Sequence, residues 1–123
     1  MNTHSDELRL AYLRYITEGR RMWSDMKETD SRLRVSYCLL VDRRAWTISA
    51  ISAASGLTRI TVRQVLGDQV ERGSVVRANG GHQITDRGIK RFRARFDEFF
   101  QKVREPLFRF HRILRREYPG ESV

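Results

Sequence analysis

The sequence predicts a mainly α-helical chain with one small β-hairpin, and three observations support that expectation. Thr47 to Thr85 reads TISAISAASGLTRITVRQVLGDQVERGSVVRANGGHQIT, in which two short helical patterns are separated by little more than Gly56, Leu57 and Thr58. The second pattern runs into an alternating stretch that holds an Asn-Gly turn signal. Longer apolar patterns at helical spacing precede and follow this region. Two helices joined by a tight turn and followed by a hairpin make a winged helix-turn-helix.

Thr47 is placed as the N-cap of the first short helix, where Ile48 and Ile51 stand three apart while Ser49, Ala50, Ser52, Ala53 and Ala54 stay small. Small residues let a second helix cross closely. Gly56 supplies the freedom a C-cap needs, Leu57 an apolar plug for the turn, and Thr58 the next cap. The second helix, Arg59 to Arg72, separates into two faces. Val62, Val65, Leu66 and Val70 point inward; Arg59, Ile60, Thr61, Arg63, Gln64 and Gly67 point outward, with Asp68 and Glu71 held to the far end. Arg bridges guanine O6 and N7, and Gln bridges adenine N6 and N7, so this face suits a major groove. Arg59, Ile60, Thr61, Arg63 and Gln64 are the candidate groove contacts, and Thr58, Arg77 and His82 the candidate contacts to the DNA backbone. Gly73 closes the helix, Ser74 to Arg77 form a strand, Ala78 to Gly81 turn, and His82 to Thr85 return as the wing's second strand.

In these residues the chain resembles the DNA-binding domain of MarR-type transcriptional regulators. The likeness runs through TISAISAASGLTRITVRQVLGDQVERG and resumes at ITDRG, where the family places a Leu-Thr-x-x-Gly opening its next helix. With the flanking order it covers Asp6 to Tyr118. Two departures stand out. The wing tip has Asn79, Gly80, Gly81 and His82 where the family usually carries an Asp-x-Arg pair, and the chain is short for the family. Arg77 and His82 are the available substitutes for a wing arginine. The resemblance implies a sequence-specific regulator of transcription, a repressor, released by a small aromatic effector bound between the winged helix and the dimer helices. Tyr12, Tyr15, Trp23, Tyr37 and Phe92 are the candidate lining of that space, with a filled aromatic core as the competing reading.

Ser5 with Asp6 and Glu7 signals a helix start. Leu8, Tyr12, Tyr15, Ile16, Gly19, Met22, Trp23 and Met26 then recur at threes and fours as far as Lys27. Glu28 to Ser31 breaks the pattern, and Leu33, Val35, Tyr37, Cys38, Leu39, Leu40 and Val41 predict a second, more fully buried helix. Asp42, Arg43 and Arg44 make a charged turn, and Ala45 and Trp46 a short strand beside the wing, with Trp46 in the core. After the wing, Thr85 or Asp86 caps a long helix that Pro106 is expected to kink or split near Glu105. That helix holds all six phenylalanines, more apolar surface than one small domain covers easily. Ile89, Phe96, Phe99, Phe100, Val103, Leu107, Phe110, Ile113 and Leu114 are therefore expected to form a homodimer interface. Arg95, Lys102, Arg109 and Arg116 recur every seven residues, either as solvated arginines and lysine or as a stripe facing phosphates or an acidic partner.

The chain is read as one domain, 1–123: an N-terminal helix at 1–30, the winged helix-turn-helix at 31–86 and a dimerisation segment at 87–118. Formal charge is +9, which favours polyanionic partners, yet residues 46–86 hold only four Lys and Arg against three Asp and Glu. Cys38 is the single cysteine, so no internal disulfide forms and a reducing cytoplasm fits. Apolar runs are too short for a membrane span. His4, His82 and His111 are scattered, so no set of residues has nucleophile or metal-ligand spacing, and neither an enzyme nor a cofactor is expected. The alternative function is a winged-helix module that docks proteins in a larger assembly; an outward face bearing two arginines and a glutamine argues against it.

Overall fold

The structure, a computed structural model, describes residues 4–121. It consists of helices α1 (Asp6–Asp25), α2 (Asp30–Val41), α3 (Ile48–Ser55) and α4 (Arg59–Glu71), strands β1 (Val75–Ala78) and β2 (Gly81–Ile84), and helix α5 (Asp86–Glu117). This is the predicted order, mainly helical with a two-stranded wing. The chain divides into two compact units: Glu28–Arg95, and the segments on either side of it.

In Glu28–Arg95 every helix start is closed by a threonine. Thr29, Thr47, Thr58 and Thr85 accept a backbone N–H through Oγ1 from Arg32, Ala50, Thr61 and Gly88, at 3.0 to 3.3 Å. Caps of this kind contribute about 1 kcal/mol each. The helix ends are equally well defined. Gly56 takes φ 74° after α3, and Gly73 takes φ 74° after α4. Past α4, Gly73 N–H donates to the Val70 carbonyl and Ser74 N–H to the Gln69 carbonyl, which satisfies two carbonyls the helix leaves open.

The core of this unit is where α2, α3 and α4 meet. Val35, Leu39, Ile51 and Val62 have no solvent exposure, and Cys38, Trp46, Val65, Leu66 and Val75 join them. Each such large side chain contributes about 1.5–3 kcal/mol on burial. Leu57 packs against this cluster as the plug of the turn. Helix α2 is less buried than expected: Tyr37 is 69% and Val41 62% exposed. Consecutive apolar residues wind around a helix, so only those three and four apart, Val35, Cys38 and Leu39, reach the core.

The wing is antiparallel, with Val75 opposite Ile84, Val76 opposite Gln83 and Arg77 opposite His82. Asn79 and Gly80 take φ 52° and 77°, the two-residue turn whose twist suits a hairpin. Trp46 lies beside the second strand as predicted. Its N–H donates to the His82 carbonyl at 2.8 Å, and His82 N–H donates to the Trp46 carbonyl at 2.7 Å. A Cβ on Gly81 would stand 2.6 Å from the Trp46 carbonyl oxygen, so this side of the wing has no room for one. Gly88 is tighter still, at 2.2 Å from the Ser74 carbonyl oxygen.

In the other unit, α1 and the part of α5 from Phe96 onward pack antiparallel. Leu8 and Ala11 near the start of α1 are buried with Ile113, and Met26 just past its end with Phe99 and Val103. Trp23 stacks on Phe99 with ring centroids 4.1 Å apart, and Gly19 lies against the same ring. Of the kink or split expected near Glu105, the split does not occur: α5 runs as one helix through Pro106. A proline inside a helix costs about 3 kcal/mol, and burial of Val103 before it and Ile113 after it contributes about as much or more.

The glycines make a direct test of these contacts. Gly88→Ala is expected to destabilise the chain by about 1–3 kcal/mol through the clash with the Ser74 carbonyl. Gly67→Ala, in α4 where an added Cβ meets nothing within 4 Å, is expected to stabilise it by about 0.5–1 kcal/mol. Urea unfolding followed by circular dichroism measures both.

Candidate nucleic-acid interface

Burial of Val62, Val65 and Leu66 sets the rotation of α4 and turns its other side to solvent. Arg59, Ile60, Arg63, Gln64 and Gly67 are all exposed there, Ile60 to 67%. Thr58 and Thr61 are held differently. Thr58 Oγ1 accepts the Thr61 N–H, and its hydroxyl donates to Thr61 Oγ1 at 3.0 Å, so both side chains serve the cap. At the far end of the helix Asp68 is bound by Arg32 at 2.6 Å and by Arg72 at 3.3 Å. Those two cations offset its charge, and the outward face keeps its basic character. The Arg32 contact spans 36 positions of sequence and had no local signal.

The wing places Arg77 in solvent and His82 opposite it. His82 is half-buried, and its Nδ1 is buried without a hydrogen-bond partner among the described residues. Burial first, and then the charge of Arg77, lower its pKa from the usual histidine value. A shallow recess lies beside it, lined by Ile48 of α3, Arg77, His82 and the residues of the turn. Thr58, Arg59, Ile60, Thr61, Arg63 and Gln64 thus share one end of α4, while Arg77 and His82 share the wing. Arg44, which sequence reasoning left in a charged turn, lies over the Trp46 ring at 4.1 Å and pairs with Asp42 at 2.8 Å.

The candidate effector residues fall into two groups. Tyr12 and Tyr15 both approach Phe110, with centroids 5.5 and 6.3 Å away, and Trp23 covers Phe99. Tyr15 and Trp23 are half-buried within the α1–α5 unit, and Tyr12 is 48% exposed. Tyr37 and Phe92 belong to the other unit, Tyr37 largely exposed and Phe92 half-buried. Among the residues assigned to a dimer interface, Ile89, Phe99, Val103 and Ile113 are buried within the single chain. Phe100, Leu107, Phe110 and Leu114 are half-buried, and Phe96 is 43% exposed. Leu10 and Leu13 of α1, at 67% and 56%, and Phe108 of α5, at 47%, are exposed apolar residues that the seam did not include.

In the basic stripe, Arg95 pairs with Glu28, Lys102 with Glu98 and Arg116 with Glu7. The latter two pairs are exposed, and pairs of that kind contribute about 0–1 kcal/mol each. Cys38 is buried, and burial raises its thiol pKa, which keeps it in the unreactive form. Among the described residues no group of His, Cys, Asp and Glu could hold a metal ion, and no helix is long and apolar enough to cross a membrane.

No protein-family model and no curated protein sequence matches the chain. Solved structures do. Ligand-free NadR superposes with a TM-score of 0.61 at 20% identity, over 94% of this chain and 85% of that one. A MarR-family transcriptional regulator from Silicibacter pomeroyi gives 0.58 at 16% identity, over 94% and 74%. Bordetella bronchiseptica BpsR, whose DNA binding is regulated by 6-hydroxynicotinic acid, gives 0.51 at 21% identity, over 98% and 87%. The chain has the MarR-type fold. At such low identity the likeness lies in the backbone path, and the residues that fill the MarR-type frame are this chain's own.

One of them, His82, makes the wing sensitive to pH. Its pKa in the folded chain lies below the ordinary 6.5, so across that interval the unfolded chain binds the extra proton. The stability that neutral His82 contributes is complete above about pH 6.5 and is lost as the pH falls through the lowered folded value. Urea midpoints measured at about pH 7.5 and pH 5.5 are expected to fall more for the native chain than for His82→Asn.

Proposed function

We propose that this protein is a sequence-specific double-stranded DNA-binding regulator of transcription, a repressor that acts as a homodimer. The observation that carries the reading is the exposed end of α4, where Arg59, Ile60, Arg63 and Gln64 face solvent immediately before a wing bearing Arg77. Helix and wing are the parts that such a fold presents to a duplex, the helix in the major groove and the wing beside it. Arg63 and Gln64 supply the donors and acceptor that purine edges match. Thr58, Arg77 and His82 are assigned to the sugar-phosphate backbone, where contacts fix register without reading sequence.

Homodimer formation is supported by Leu10, Leu13, Phe96 and Phe108, four large apolar side chains left 43–67% exposed in the α1–α5 unit. A second copy covers them at the least cost, and a two-fold dimer selects a pseudo-palindromic site. Release by a small aromatic acid is supported by BpsR, where 6-hydroxynicotinic acid regulates DNA binding.

Gel shifts on random duplex DNA test the main reading. Log K is expected to fall with log salt at a slope of about −0.9 per neutralised phosphate, and a flat response would favour the protein-docking module instead. On a selected site, Arg63→Ala is expected to cost about 1–3 kcal/mol and relax preference at one base pair, with weak non-specific binding retained. The double variant Leu10→Asp, Leu13→Asp is expected to run as a monomer by analytical ultracentrifugation. If it stays dimeric, that face of α1 is not the interface.

A further inference from the structure

Two features of the outward face of α4 have no explanation inside the chain. Ile60 is 67% exposed, although an apolar side chain contributes to folding only where it leaves water. Gly67 lies within the helix, where glycine is costly relative to alanine, yet a Cβ there would meet nothing within 4 Å. Positions 60, 63, 64 and 67 follow the spacing i, i+3, i+4, i+7, which lines them up on one stripe. That stripe runs about 10 Å along the helix, the length of about three base-pair steps. In order it presents an apolar knob, two long polar side chains and bare backbone.

The chemistry of a major groove accounts for this sequence of groups. Arg63 and Gln64 match hydrogen-bonding edges, but Ile60 has no donor or acceptor to offer. The apolar group that a major groove presents is the C5 methyl of thymine. Ile60 is suited to it, because a β-branched side chain on a helix has one strongly preferred rotamer and little freedom to lose on contact. Thr61, its neighbour, is half-buried and has its Oγ1 engaged by the Thr58 hydroxyl, whereas Ile60 stands free in solvent. We infer that Ile60 reads thymine, packing on the C5 methyl at a base pair next to those met by Arg63 and Gln64, and that Gly67 marks the point where the duplex comes closest to the helix backbone. This assignment rests on the DNA-binding reading above.

The probe is a duplex selected by the native protein from a random-sequence library and resynthesised with single thymines replaced by deoxyuridine, which removes the methyl alone. One replacement, in a single half-site, is expected to weaken binding about fourfold, the effect of losing one buried methylene-sized group. Ile60→Ala is expected to bind the thymine and deoxyuridine duplexes equally well, with an unfolding midpoint no lower than native since the side chain is exposed. Gly67→Ala is expected to bind the selected duplex less tightly although it is the more stable protein; unchanged affinity would overturn the close approach at Gly67. A deoxyuridine penalty at no thymine, or one that survives undiminished in Ile60→Ala, overturns the thymine assignment and leaves DNA binding standing. Failure to select any duplex overturns both.

Discussion

The close crossing of α4 over α2 and α3 is the constraint on which the rest of the winged-helix unit depends. Ile51, Val62, Val35 and Leu39 interlock with no exposed surface, and the small residues of α3 permit that approach. A helix has one rotation that buries Val62, Val65 and Leu66 together. Once the core has chosen it, residues 59, 60, 63, 64 and 67 face outward without any further device. The outward surface of α4 is therefore a by-product of packing, and its precision is the precision of the core. The Arg32–Asp68 pair adds an electrostatic adjustment, because it offsets an acid at the far end of a helix whose outward face is otherwise basic.

The wing is held by backbone rather than by side-chain bulk. Trp46 and His82 exchange two hydrogen bonds, while Gly81 and Gly88 remove the side chains that would keep the segments apart. Thr85 completes the arrangement, since its hydroxyl donates to the Gly73 carbonyl at 2.7 Å and accepts from Gly88. The end of α4, the base of the wing and the start of α5 are thereby joined through one side chain. The His82 ring packs in this arrangement with its Nδ1 buried and without a hydrogen-bond partner among the described residues. A proton that arrived there would gain nothing from hydrogen bonding and would face the charge of Arg77.

The α1–α5 unit follows a different rule. Its buried contacts are largely aromatic and aliphatic knobs on two long helices, Trp23 on Phe99 and Leu8 and Ala11 on Ile113. Surface ion pairs such as Arg116–Glu7 and Arg14–Glu105 tie the same helices and add little stability individually. This pairing also leaves Leu10 and Leu13 outside the helix's inward stripe, where they remain exposed.

Local rules made most of the fold legible. Threonine caps, glycines at positive φ, the Asn-Gly turn and the spacing of Val62, Val65 and Leu66 act over a few residues, so the sequence by itself determined the helix-turn-helix, the wing and the outward face of α4. It also marked Trp46 as core and a strand neighbour of the wing. Questions of which surface covers which were decided elsewhere. A seam of phenylalanines looks the same whether its partner is α1 of its own chain or another copy, and only the tertiary pairing showed Phe99, Val103 and Ile113 already buried. The consecutive apolar run of α2 could not say which residues turn inward until α3 and α4 lay against it. Pro106 could not be read as part of one continuous helix, because the local cost of proline is written in the sequence whereas the contacts that offset it join residues far apart in the chain, Met26 with Val103 and Leu8 with Ile113.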